Sequence, residues 1–232
     1  MGRKKRFPTR WRVAAALLLA ALLGGAWQWW TFIHWTPLRE AYPVQGILVS
    51  AGDGRTSFVA FKAIGADFAY LEASSGATRR DPAFARNLEA VRAAGLQFGA
   101  VHHYDPCVPA DRQAANFVTV VPRDDKLLPP AIELDETAQD CPHPVSDQAV
   151  ESELMTFLNQ VEGHAGKPAL LKISKQFEQR YRLATAIDRN LWLTRDRFEP
   201  DYAGRPWTLW TANSALRSEA SPGPVRWVVV QP

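Results

Sequence analysis

The sequence has little of what marks several kinds of chemistry. Its 232 residues include only two cysteines and two methionines, and the two cysteines and five histidines show no zinc-ligand spacing. No Gly-x-Ser-x-Gly frames a serine nucleophile, which disfavours a serine hydrolase. The glycines of AGDGRTS (51–57) do not make a phosphate-binding loop. No cofactor and no metal is therefore expected. Internal repeats and low-complexity tracts are absent too. Charged residues make up 22% and apolar ones 47%, too little charge and too much apolar material for a disordered chain. The length leaves no room for two ordinary domains with linkers.

A basic surface for nucleic acid is also missing. The formal net charge is +3, but six of the 27 basic residues are Arg3, Lys4, Lys5, Arg6, Arg10 and Arg12. The other 21 face all 24 acidic residues, so residues 13–232 carry a net −3. No nucleic-acid partner is expected of the folded part.

What the N-terminus does have is a long apolar run. Residues 13–33, VAAALLLAALLGGAWQWWTFI, carry no formal charge. As a helix they cover about 30 Å, the thickness of a bilayer core. Basic flanks stay in the cytoplasm, so the chain beyond residue 33 should face the periplasm or the cell exterior. Trp27, Trp29, Trp30 and Trp35 gather at the outer end, where indoles prefer the interface. A cleaved signal peptide is the rival reading, although bulky tryptophans after Gly24-Gly25-Ala26 spoil a cleavage site. The expected organisation is a basic cytoplasmic tail (1–12), a single-pass signal-anchor in the inner (cytoplasmic) membrane (13–33), a linker (34–43) and a monomeric domain (44–232). Export would place Cys107 and Cys141 in an oxidising compartment, where they can form a disulfide; two buried thiols are the alternative.

The remainder alternates between strand and helix patterns. GILVS (46–50), FAYLEAS (68–74), QFGAVHHY (97–104), PPAIELDE (129–136), PALLKIS (168–174), NLWLTR (190–195), WTLWTA (207–212) and VRWVVV (225–230) read as strands. FVAFKAIG and ADRQAANFVTVV have helical spacing. DPAFARNLEAVRAAG (81–95) combines an N-cap Asp, an early Pro and a terminal Gly. SDQAVESELMTFLNQVEGHAG (146–166) reads as a long helix capped by Ser146 or Asp147. This order implies one α/β domain on a parallel sheet, open or closed as a barrel, with a partly antiparallel second half.

In such folds chemistry sits at the carboxyl ends of the strands. Those ends offer Ser50, Glu72, His102, His103, Tyr104, Glu133, Asp135 and Glu136. Glu133 and Asp135 share one side of their strand. Two carboxylates placed together inside a barrel should raise one pKa and keep a proton near neutrality, as protonation of a glycosidic oxygen requires. A solvated acidic loop is the bland alternative. His102 and His103 face opposite ways and do not ligate one metal easily. Trp207, Trp210 and Trp227 fit a sugar groove or a packed core equally well.

The ordered segments from 44 to 231 resemble glycoside hydrolase family 25, the Chalaropsis-type lysozymes. VQGILVS is similar to the family's Gly-Ile-Asp-Val-Ser strand. ADFAYLEASSGATRRDPAFARNLEAVRAAGLQFGAVHHY is similar to its second strand, helix and third strand. LPPAIELD resembles its Leu-Pro-Pro-x-x-Asp-x-Glu strand, and NLWLTR and WTLWTANS resemble its late strands. The resemblance implies an irregular TIM-like (β/α) barrel and β-1,4 cleavage between N-acetylmuramic acid and N-acetylglucosamine in peptidoglycan. It also implies Asp135 and Glu133 as the catalytic pair, and Glu72, His102, Tyr104 and Trp210 as substrate contacts.

The departures are specific. The family's strand-one Asp falls on Leu48, its Asp-x-Glu on Glu133-Leu134-Asp135, its final-strand Asp on Arg226 and its strand-two Lys on Glu72. A Tyr position falls near Lys172. Two readings stay open. In one the site is rewired, with Lys172 or Arg226 as counter-charge to Glu72, and hydrolysis is altered. In the other the groove binds peptidoglycan or an envelope partner without cleaving.

Overall fold

The computed structural model describes residues 9–232. The basic residues Arg3, Lys4, Lys5 and Arg6 lie outside the described residues. The chain divides into two units, Met1–Trp35 and Thr36–Pro232. In the first, helix α1 (Thr9–Ile33) includes an apolar stretch, Arg10–Ile33, long and apolar enough to cross a membrane.

The second unit is a mixed α/β barrel of eight strands. In chain order these are β1 (Gln45–Val49), α2 (Phe58–Ala63), β2 (Phe68–Ser75), a short β3 (Arg79–Arg80), α3 (Phe84–Ala94), β4 (Gln97–His103), α4 (Ala110–Val120), β5 (Ala131–Leu134), α5 (Asp147–Ala165) and β6 (Leu170–Ile173). Then follow α6 (Lys175–Tyr181), α7 (Leu183–Ala186), β7 (Asn190–Thr194), β8 (Leu209–Ser218) and β9 (Ser221–Val230). The sheet runs β1-β9-β8-β7-β6-β5-β4-β2-β3, and pairing of β1 with β2 closes it. Strands β1, β2 and β4 to β8 run parallel where they pair with one another, whereas β9 is antiparallel to both β8 and β1. The antiparallel end expected from the late strands is therefore present. Strand–helix alternation is not kept throughout: no helix joins β7 to β8, and β8 turns directly into β9.

Sequence signals place most boundaries within a few residues. Ser146 caps α5, its Oγ accepting from Ala149 N. Asp81 does not cap α3 as expected. Its Oδ1 accepts from Ala83 N at 2.7 Å and fixes the turn before the helix, which starts at Phe84. Helices α6 and α7 were not marked by periodicity, being only seven and four residues long. Strands β8 and β9 extend beyond their apolar runs because they form a hairpin.

The barrel's interior is one buried cluster: Leu48, Phe68, Tyr70, Val101, Ala131, Leu170, Trp192, Leu209 and Val228, with every barrel strand contributing. Tyr70 fills much of it, its hydroxyl donating to Pro129 O at 3.0 Å. Gly99 makes room for that ring, since a Cβ there would collide with it. Cys107 and Cys141 are bonded, joining the stretch after β4 to the stretch after β5.

Candidate active site

Side chains two apart on a strand share a face. Two residues beyond the apolar cluster, each strand therefore presents one more inward position. Those positions are Ser50, Glu72, His103, Glu133, Lys172, Thr194, Thr211 and Arg226, and all eight are polar. They line two hollows at the carboxyl ends of the parallel strands, of about 330 and 260 Å³. Arg226 lines both.

The ring neutralises itself. Arg226 Nη1 donates to Glu72 Oε1 at 3.0 Å and Nη2 to Asp53 Oδ2 at 3.1 Å, while its Nε reaches Leu48 O at 3.2 Å. His103 Nε2 lies 2.5 Å from Glu72 Oε2 and 3.4 Å from Glu133 Oε2. Lys172 Nζ donates to Glu133 Oε1. Three carboxylates thus meet three cationic side chains. Burial by itself would raise the Glu72 carboxyl, but the hydrogen bond and charge of His103, with the charges of Arg226 and Lys172, hold it below its ordinary value. Burial would likewise lower His103. Glu72 first, then Glu133 and Asp135, push it up to about 9 instead, so it is a cation at neutral pH.

One oxygen of Glu133, the buried Oε2, is near His103 but takes no hydrogen bond among the described residues. Asp135 stands exposed just past the end of β5. The two acids expected to share a buried site therefore occupy different environments: Glu133 is matched by Lys172, and Asp135 meets solvent. Glu72, His103 and Glu133 offer three ligand atoms within 4.8 Å of one another. Lys172 and Arg226 already compensate those carboxylates, and a divalent ion there would meet two fixed positive charges.

Three of the expected substrate contacts lie elsewhere. His102 is fully buried behind the barrel wall, 2.8 Å from Ser74 Oγ and packed on Phe117 and Phe157; burial first among the causes lowers it to about 4. Tyr104 has the same outward parity and packs on Phe157. Trp210 is buried against Tyr42 and Trp207, its Nε1 donating to Arg195 O at 2.7 Å. The mouth holds His103 in place of His102. It also holds Asp53, which the sequence reading passed over. The strand parity that separated the two histidines was the available signal for His103. For Asp53 there was none, because the turn Ala51–Asp53 that folds it back is set by hydrogen bonds from Ser50 N to its own carboxylate.

Carboxylates at the carboxyl ends of strands in a closed barrel stand where enzymes of this architecture place their chemistry. Residues 47–217 match the family described as "Glycosyl hydrolases family 25", and the chain belongs to that family. It is similar to a family 25 glycosyl hydrolase from Bacillus anthracis, with a TM-score of 0.77 and 22% identity over 86% of this chain and 93% of that one. It is also similar to the bacterial lysozyme from Streptomyces coelicolor, with a TM-score of 0.72 and 21% identity over 82% and 92% of the two chains. An Escherichia coli relative, "Uncharacterized protein YegX", is 26% identical over 195 residues, 81% of this chain and 70% of the relative. Structural likeness at such identities establishes the fold; the chemistry has to come from this chain's own residues.

Proposed function

We propose that this protein is a membrane-tethered glycoside hydrolase of the muramidase type, built on an irregular (β/α) barrel and acting on peptidoglycan or a related cell-wall glycan. Residues 1–12 form its cytoplasmic tail, 13–33 the anchor in the inner membrane, 34–43 a linker and 44–232 the hydrolase domain outside the cytoplasm. Family membership and the lysozyme-like fold support the reaction class. The apolar length of α1 supports the anchor.

The observation that carries the chemistry is the unlike pair at the end of β5. Asp135, exposed at the rim, is the acid that protonates the leaving glycosidic oxygen. Glu133 is paired with Lys172 through Oε1 and offers Oε2, which lies 3.4 Å from His103 Nε2 and takes no hydrogen bond among the described residues, to the reacting centre. There it orients the attacking water or supports the substrate's acetamido group. Glu72 acts on the substrate side through His103. His102, Tyr104 and Trp210 contribute by packing behind the wall.

The full-length chain in detergent should release muropeptides from sacculi, and Asp135→Asn should abolish the release. No release above the Asp135→Asn background, across several wall chemotypes and pH values, defeats the reading. One observation favours a second: Arg226 bridges Glu72 and Asp53 where the family carries an acid. A groove closed that way would bind glycan without cutting it. Sacculi that co-sediment with wild type, Asp135→Asn and Glu133→Gln alike, with no release from any, would favour that alternative.

A further inference from the structure

The larger hollow at the mouth carries charge that hydrolysis does not use. Arg79 and Arg80 of β3 line its outer side. Arg79 Nε and Nη2 donate to Ser75 Oγ at 3.3 and 2.9 Å. Arg80 Nε donates to Asn116 Oδ1 at 3.1 Å. Asn116 is itself buried on α4, and its Nδ2 donates to Gly76 O at 3.0 Å and Arg79 O at 2.9 Å. One buried amide thus fixes the turn that presents both arginines. Neutral oxygens hold the two guanidiniums, and among the described residues neither has a carboxylate partner.

The acids of this hollow are already engaged. Glu72 is paired with Arg226 and His103. Asp81 accepts from the backbone N–H of Ala51 and of Ala83, each at 2.7 Å. With the ring of charges at the mouth balanced, Arg79 and Arg80 against the single carboxylate of Asp81 leave the hollow with positive charge in excess for anything that enters it. A guanidinium fork matches a carboxylate or a phosphate, and gives a neutral sugar no comparable advantage.

We propose that this hollow is a subsite for an acidic sugar, whose carboxylate or phosphate is received by Arg79 and Arg80. Its position beside the cleaved linkage rests on the hydrolase reading; the charge preference does not. A volume of about 330 Å³ suits one sugar unit rather than a long chain.

The test reads binding without turnover, on full-length Asp135→Asn protein in detergent at low salt. The probes are a tetrasaccharide alternating N-acetylglucosamine and glucuronate, its carboxyl methyl ester, N-acetylglucosamine 6-phosphate and N-acetylglucosamine. The acid should bind about tenfold tighter than its ester, or the phosphate than its neutral sugar, in titration calorimetry. Whichever pair discriminates identifies the anion. Adding Arg79→Gln and Arg80→Gln, which keep polar side chains at exposed positions, should reduce the preference to less than about twofold. Equal affinities in both pairs, no binding of any probe, or a preference that survives the double substitution overturns the subsite. Release from sacculi by wild type is scored separately. Discrimination without release defeats only the hydrolase reading, and release without discrimination defeats only the subsite.

Discussion

Arg226 Nη1 sits 3.0 Å from Glu72 Oε1, across the floor of the barrel mouth. The two residues come from strands that are not adjacent, since β1 lies between β9 and β2. Their contact therefore spans the opening over Leu48, whose carbonyl takes the Arg226 Nε. With no acid on β1 at position 48, the floor is a cation held by two acids, Glu72 and Asp53. This pairing ties the closing seam of the barrel to the site, so charge substitutions there act on stability as well as on chemistry.

Arg226→Leu should destabilise the fold by about 3 kcal/mol, because it leaves the largely buried Asp53 carboxylate without its cation and Glu72 with His103 alone. Adding Asp53→Asn should recover part of that loss, since it removes the charge that Arg226 alone pairs with and keeps an oxygen for Ser50 N. Urea unfolding followed by tryptophan fluorescence measures both. A single variant as stable as wild type would remove the network from the support of the fold.

The His103–Glu72 pair sets a pH window. His103 holds its proton more tightly in the folded protein, about 9 against an ordinary 6.5. Its contribution is complete below pH 6.5 and is lost as pH rises through 9. Glu72 holds its proton more weakly than its ordinary 4.5, so its contribution is present above that pH and is lost as pH falls through the lowered folded value. The pair's own contribution should therefore be greatest between about pH 4.5 and 6.5, but buried His102, lowered to about 4, removes stability as pH falls below 6.5, so the whole protein should be most stable near pH 6.5. With His103 one-third exposed, the alkaline loss should be on the order of 2 kcal/mol. His103→Gln should flatten that limb in urea midpoints taken from pH 5 to 10, and an unchanged limb would assign it to other groups.

Strand periodicity and the apolar runs made the barrel legible, because inward residues at a period of two must be apolar until the mouth is reached. The site was legible where that parity was followed. Glu72 and Glu133 sit on inward positions, and Lys172 and Arg226 were foreseeable as counter-charges. Motif resemblance pointed instead to His102 and Tyr104, whose parity directs them outward under α4 and α5. The partner of each charge was not readable, since it depends on closure. Lys172 reaches Glu133 on the neighbouring strand, and Arg226 reaches Glu72 only because β1 joins β9 to β2.

The Cys107–Cys141 bond closes a loop spanning 34 positions, and breaking it should cost about 3–4 kcal/mol on the chain-entropy account. It also ties down the stretch that follows Asp135. Cys107→Ala with Cys141→Ala should lower the urea midpoint, and dithiothreitol should do the same to wild type and nothing to the double variant. A reductant effect that persists in the double variant would exclude the bond as its source.

Asp135→Glu separates altered from lost catalysis. Asp135 stands where the family resemblance places a glutamate, so its carboxyl falls about 1 Å short, and a displacement of that size can cost roughly 100-fold in rate. Restoring the methylene costs little structurally, because the side chain is exposed and pairs with nothing the fold needs. The reciprocal change, Glu133→Asp, is different: it would draw the carboxylate back from Lys172 and break a largely buried ion pair. The single substitution is therefore the clean one. If reach limits proton transfer, Asp135→Glu should raise muropeptide release above wild type, by up to about 100-fold, with little change in sacculus affinity. If the Arg226 floor keeps substrate from the reacting position, lengthening the acid gains nothing. Release no faster than wild type, with binding intact, would then place the defect at Arg226 and Glu72 rather than at the acid.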